Sequence, residues 1–109
     1  MEKQFLLEGD KIPDSIKVPA YRITQEAFDN IATHSEADSV TISLTRQDSF
    51  IGLVIRDNGR GFNVEEMLTS ETGRGLLTLR QRALVSEGLF NIASEAGKGT
   101  TLRVLWPFA

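Results

Sequence analysis

Phe50-Ile51-Gly52-Leu53-Val54-Ile55-Arg56-Asp57-Asn58-Gly59-Arg60-Gly61-Phe62 decides the fold. Its first half is almost continuously apolar, as a central strand should be. Its second half cannot continue as regular structure. A carboxylate at the end of a buried strand can accept a hydrogen bond deep in a pocket, and Gly59 and Gly61 let backbone approach a ligand closely. Asp-Asn-Gly is also good hairpin chemistry, so on its own the string leaves a turn and a binding loop equally open.

Upstream, Val40, Ile42 and Leu44 alternate with Thr41, Ser43 and Thr45. This period of two predicts a half-buried strand over Ser39–Arg46, which pairs with Phe50–Arg56 through the turn Gln47-Asp48-Ser49. Before it, Ala20, Ile23, Ala27 and Ile31 recur at helical spacing, with Tyr21 and Phe28 widening the apolar face. A helix is expected from about Ala20 to His34, with Pro19 at its first position. Gln4–Glu8 reads as a short opening strand. Downstream, Asn63 suits a helix cap with Glu66 completing a capping box, and residues 69–75 read as a loop. Leu76 to Ser86 is helical, with Leu76, Leu79 and Ala83 turned inward, joined by Leu77 and Leu84, and Gly88 ending it. Leu89–Ala93 and Thr100–Leu105 are strands around the glycine-rich turn 94–99. The expected fold class is α/β: a two-layer sandwich in which a mostly antiparallel, mixed sheet is covered on one face by helices.

The chain has 109 residues, 40% hydrophobic and 25% charged, with a formal charge of −3. That is one domain, spanning 1–109, able to bury roughly 65% of its unfolded surface. With no cysteine and one histidine, His34, disulfide frameworks, thiolate chemistry and a zinc site are excluded. Mild acidity argues against nucleic acid as a partner. No apolar run reaches the roughly 18 residues of a membrane span. These features fit a cytoplasmic protein.

Three further strings bear chemistry. Arg22, Glu26, Asn30 and Thr33 form one polar stripe on the first long helix, which taken alone is most simply a solvated face. Gly73-Arg74-Gly75 opens a helix, where free N–H groups suit a phosphate and glycines suit a hinge. Gly97-Lys98-Gly99-Thr100-Thr101 joins two strands. No Gly-x-x-x-x-Gly-Lys-Ser/Thr occurs, which disfavours a P-loop nucleotidase.

In this order the four strings resemble the ATP-binding fold shared by gyrase, Hsp90, histidine kinases and MutL, the Bergerat-type fold. Within it the sequence is most similar to the catalytic domain of two-component sensor histidine kinases of the subgroup serving NarL-type regulators. The resemblance covers residues 18–107. It rests on Tyr21-Arg22-Ile23-Thr24-Gln25-Glu26-Ala27-Phe28-Asp29-Asn30, Asp57-Asn58-Gly59-Arg60-Gly61-Phe62, Gly73-Arg74-Gly75-Leu76 with Leu79-Arg80-Gln81-Arg82-Ala83, and Gly97-Lys98-Gly99-Thr100 with Trp106-Pro107.

The resemblance implies roles. Asn30 would offer its amide oxygen to Mg²⁺, and Glu26 would face the γ-phosphate as the catalytic group. Asp57 would accept the adenine amino hydrogen bond, with Gly59 and Gly61 permitting the approach. Gly73, Gly75 and Leu76 would form the lid hinge and phosphate contact, and Thr100 would support the adenine pocket. ATP and Mg would be the cofactors. A histidine-bearing dimerisation domain of a parent kinase would be the partner, a response regulator would follow indirectly, and the parent kinase would be cytoplasmic or membrane-anchored. The family's usual Lys or Arg three residues after the magnesium ligand is replaced by Thr33. His34 lies inside the nucleotide helix, which fits a structural role and leaves the phosphoacceptor to another domain. An anti-sigma serine kinase of the same fold is the alternative. The Leu79–Ala83 string and Trp106-Pro107 favour the sensor kinase, and Thr33 alone supports a domain that has lost ATP.

Overall fold

In the computed structural model, residues 2–7, 12–34, 36–47, 49–60, 74–95 and 97–107 are described, with backbone only at 2–7, 32–34 and 74–76. The elements are β1 (Glu2–Leu7), α1 (Asp14–His34), β2 (Ser39–Gln47), β3 (Phe50–Asp57), α2 (Arg74–Val85), β4 (Leu89–Ser94) and β5 (Thr100–Pro107). The five strands form one sheet in the order β1-β2-β3-β5-β4. Only β1 on β2 is parallel, and the other pairings are antiparallel. This is the expected mixed, mostly antiparallel sheet. β3 lies at its centre, where a continuously apolar strand belongs.

Among the described residues the core lies between the sheet and helices α1 and α2. Val40, Ile42 and Leu44 of β2, Ile51, Leu53 and Ile55 of β3, and Leu102, Val104 and Trp106 of β5 are buried on one sheet face. Register puts Ile42, Ile55 and Leu102 in one cross-strand row, and Leu44, Leu53 and Val104 in the next. α1 closes the core with Ile12 just before it and Ile16, Ala20, Ile23, Ala27 and Ile31 along it, and α2 with Leu79 and Ala83.

Four local expectations are corrected. α1 begins at Asp14, not Ala20, and Pro19 lies inside it. The apolar repeat in fact starts at Ile12 and Ile16, and the Pro13 carbonyl accepts the N–H groups of Ile16 and Lys17 at 3.0 Å, starting the helix a full turn before Pro19. Tyr21 is 64% exposed. It falls opposite Ile23 on the helix, and its hydroxyl accepts a hydrogen bond from Gln25 at 3.2 Å. Leu77 and Leu84 are also exposed, because Leu79 and Ala83 take the inward stripe of α2. Finally, the left-handed residue ending α2 is Glu87, with φ 65°, not Gly88. Gly88 is required for packing instead: a Cβ there would lie 2.8 Å from Val104 Cγ1 and 2.9 Å from Trp106 Nε1.

Candidate nucleotide site

Connectivity gathers the sequence-distant strings at one end of the sheet. α1 ends at His34, with four residues between it and the start of β2, and Val40 of β2 pairs with Asp57 at the end of β3. Asp57 pairs in turn with Thr100, and Thr100 with Ser94. α2 joins β4 at the opposite end through residues 86–88, and its buried Leu79 and Ala83 lay it back over the sheet. Its first turn is therefore directed toward the end that carries Asp57. The last turns of α1, the tip of β3, the start of α2 and the 95–99 turn converge there.

Asp57 is the buried charged residue of the core, 6% exposed. It continues the inward row of Ile51, Leu53 and Ile55, so β-strand alternation turns its carboxylate toward the helices. Its Oδ1 accepts the Gly59 N–H at 2.8 Å. Burial pushes the carboxyl above its ordinary pKa, and the Gly59 hydrogen bond pulls partly the other way. Beside it, the hydroxyls of Thr100 and Ser94 are 2.8 Å apart, and Ser94 Oγ also donates to the Gly99 carbonyl at 3.1 Å. A hollow of about 590 Å³ at this end lies on the sheet face away from the helices, lined by the cross-strand row Thr41, Arg56, Thr101 and Ala93 together with Ser39, Asn58, Lys98 and Gly99, and it reaches Asp57 only at its edge.

Two residues that the sequence reading left without a role hold this end together. Asn58 Oδ1 accepts the N–H groups of Asp38 and Ser39 at 2.9 and 3.0 Å, fastening the entry of β2 to the exit of β3. Gly99, with φ 80°, packs so closely that a Cβ would lie 2.3 Å from the Asp57 carbonyl oxygen. The Gly97 N–H donates to the Arg60 carbonyl and completes the junction between the two turns. The glycine pair at 97 and 99 was the signal for Gly99. Asn58 gave none, because its partners lie about twenty residues away.

Glu26 and Asn30 are half-buried on successive turns of α1, and Arg22, one turn earlier, is exposed. Glu26 lines a second hollow of about 600 Å³ with Arg22, Asp29 and Arg82 of α2. The structure thus brings Asp57, Gly59 and Thr100 together, and places Glu26 in a separate hollow bordered by α1 and by Arg82 of α2. Lys98 is engaged by Glu95 at 3.2 Å in an exposed pair. Gly75 and Leu76 open α2. Gly61, Gly73, the helix cap expected at Asn63 and the 69–75 loop up to Gly73 lie outside the described residues, as do the side chains of Thr33 and Leu76. Among the described residues no group of three or more His, Asp or Glu side chains could hold a metal unaided.

A sandwich with an acidic residue buried at a strand tip, glycine turns packed against it and a polar helix stripe beside it matches one family over residues 16–109: the histidine kinase-, DNA gyrase B- and HSP90-like ATPases. The chain belongs to that family. Among its relatives it is 42% identical over 101 residues to the sensor protein VraS of Staphylococcus aureus and of Staphylococcus haemolyticus. It is 40% identical to VraS of Staphylococcus saprophyticus. These matches cover 93% of this chain and 28% of each sensor protein, so the chain spans little more than a quarter of their length. In fold it is similar to a blue-light activated histidine kinase of Erythrobacter litoralis, with TM-score 0.80 and 16% identity, over 98% of this chain and 35% of that one. It is also similar to the mycobacterial sensor histidine kinase MprB, with TM-score 0.71 and 22% identity, over 97% of this chain and 80% of that one.

Proposed function

We propose that the chain is the ATP-binding catalytic domain of a sensor histidine kinase, presenting Mg-ATP for phosphoryl transfer to a histidine on a separate dimerisation domain. The observation that carries this reading is Asp57. A carboxylate is buried, against the cost of burial, at the tip of the central strand, with one oxygen engaged by Gly59 and two hydroxyls beside it. That arrangement suits an exocyclic amine, which offers N–H donors and carries no charge of its own. Gly59 holds the carboxylate's rotamer, and Thr100 and Ser94 supply hydroxyls that can accept or donate to a ring nitrogen or to water.

The phosphates would extend toward the first turn of α2, where free backbone N–H groups and the positive end of the helix favour them. The donor chemistry fits magnesium bound mostly through the nucleotide. Asn30 would contribute one amide oxygen, and phosphate oxygens and water the remainder. The ion would neutralise charge on the transferring group. Glu26, on the turn before Asn30, would orient the incoming imidazole or take its proton. Phosphoryl transfer asks the protein mainly for positioning and charge neutralisation, and these residues are disposed to provide both. The sensor proteins to which the chain is similar favour this reading over an anti-sigma kinase. As part of such a kinase the domain would act in the cytoplasm, with a response regulator receiving the phosphoryl group afterwards.

Calorimetry with a nonhydrolysable ATP analogue, with and without Mg²⁺, tests the proposal. Saturable one-to-one binding that tightens with Mg²⁺ is expected. No heat and no displacement of a fluorescent nucleotide, at protein concentrations well above micromolar, would overturn it.

A further inference from the structure

Trp106, the chain's single tryptophan, is 1% exposed near the end of β5. Its indole N–H donates to Ser86 Oγ at 2.9 Å. That hydroxyl lies 3.0 Å from the Arg82 carbonyl and 2.9 Å from the Ala83 carbonyl in the last turn of α2, where the Arg82 carbonyl also accepts the Ser86 N–H at 3.3 Å. Ser86 therefore accepts from the sheet and donates to the helix. The Gly88 N–H also returns to Ala83 O, at 2.8 Å. Gly88 leaves the space in which the indole sits. Along the rest of its described length α2 is held by the inward stripe of Leu79 and Ala83, whereas Leu77, Leu84 and Val85 are exposed.

We infer that Trp106 and Ser86 are positioning residues for the nucleotide site: a polar latch that fixes the far end of α2 and so sets where its first turn meets the phosphates. This rests on the proposed ATP site, since it concerns the helix that opens onto it. A helix of 12 residues is a lever of roughly 18 Å. Loosening it at one end spreads the positions of the other, and binding the phosphates must then order it again. The cost falls on ligands that reach α2. It spares ligands held only by the base pocket, because Asp57, Thr100 and Ser94 belong to the sheet. The loss is bounded by the strength of the latch, about one neutral hydrogen bond, or up to roughly fivefold in affinity.

Ser86→Ala removes the latch without disturbing the buried ring, and Ser86→Thr restores the hydroxyl. ATP and adenosine affinities of the wild type and both variants should be measured by calorimetry or nucleotide displacement. The expected result is a loss of roughly three- to fivefold for ATP in Ser86→Ala, adenosine affinity within a factor of about 1.5, and recovery of ATP affinity in Ser86→Thr. The emission of Trp106 should move to shorter wavelength in Ser86→Ala, and in the wild type should respond to ATP but not to adenosine. Equal losses for both ligands, or no loss for either, would overturn the latch. Wild-type protein that binds neither ligand would instead overturn the nucleotide site itself, and the inference with it.

Discussion

Asp57 carries a conflict between stability and binding that a single substitution exposes. Burial holds its carboxyl above the ordinary aspartate range. The folded state therefore holds this proton more tightly than the unfolded chain does. The group adds stability below its unfolded pKa, and that stability is lost as the pH rises through the higher folded value. Wherever the pH stands above that folded value, the fold carries the burden of an ionised buried carboxylate. Asp57→Asn keeps the shape and an acceptor for the Gly59 N–H but discards the charge. Its melting temperature at pH 7 should equal or exceed that of the wild type, and the difference should shrink as acid titrates Asp57. Nucleotide affinity should fall by about ten- to a hundredfold, the value of a charged hydrogen bond. A scan of melting temperature and ATP affinity across pH separates the two effects, and a destabilised variant at pH 7 would refute the burial argument. Gly99 poses a purely steric question. Gly99→Ala places a Cβ against the Asp57 carbonyl in addition to its unfavourable φ, whereas Gly97→Ala, at φ 82°, meets nothing within 4 Å. Both should destabilise, Gly97→Ala by about 1 kcal/mol and Gly99→Ala by clearly more. Urea denaturation of the two variants checks the order.

At the scale of elements, what was readable was periodic. β2 was legible because Val40, Ile42 and Leu44 alternate with polar neighbours, and β3 because its apolar run is short and ends on Asp-Asn-Gly. The start of α1 was not, because Pro19 looked like a boundary while the apolar repeat continued behind it to Ile12. Leu77 and Leu84 misled for a related reason: a leucine-rich helix with only two described buried positions has more apolar residues than its inward stripe needs. The clamp by Asn58 was illegible because it is a contact between distant segments, with no local pattern to announce it. Pro19 also yields a prediction. As the sixth residue of α1 it has no N–H for the Ser15 carbonyl, and its ring crowds that turn. Pro19→Ala should raise stability by between about 1 and 3 kcal/mol, at an unchanged denaturant slope. No gain would mean that the restriction Pro19 places on the unfolded chain offsets its cost within the helix.

At the scale of the molecule, what carried the site was the order of the strings, since each alone has an ordinary structural explanation. The sheet order β1-β2-β3-β5-β4 explains why order suffices. It sets the exit of β3 beside the entry of β5, and the short link after α1 brings that helix to the same end. The roles of Glu26, Asn30, Gly61 and Gly73 remain part of the proposed function, and it has one consequence for the whole chain. A catalytic domain that binds ATP still needs an acceptor, and His34 is the only histidine in the sequence. It is the last residue of a helix of 21 residues, on the backbone that carries Asn30 one turn earlier, so it cannot travel to the γ-phosphate as a histidine on a separate domain can. The chain incubated with radiolabelled ATP and Mg²⁺ should therefore acquire no acid-labile label. Adding the histidine-bearing domain of a parent kinase should produce label on that domain alone, at a rate that rises with the concentration of either component, as a reaction between separate bodies must. Asp57→Asn should slow it at subsaturating ATP by about the ten- to a hundredfold of its lost nucleotide affinity. Acid-labile label on the isolated chain that disappears in His34→Gln would show that α1 opens far enough to offer its own acceptor, and would overturn the division of labour between nucleotide domain and phosphoacceptor.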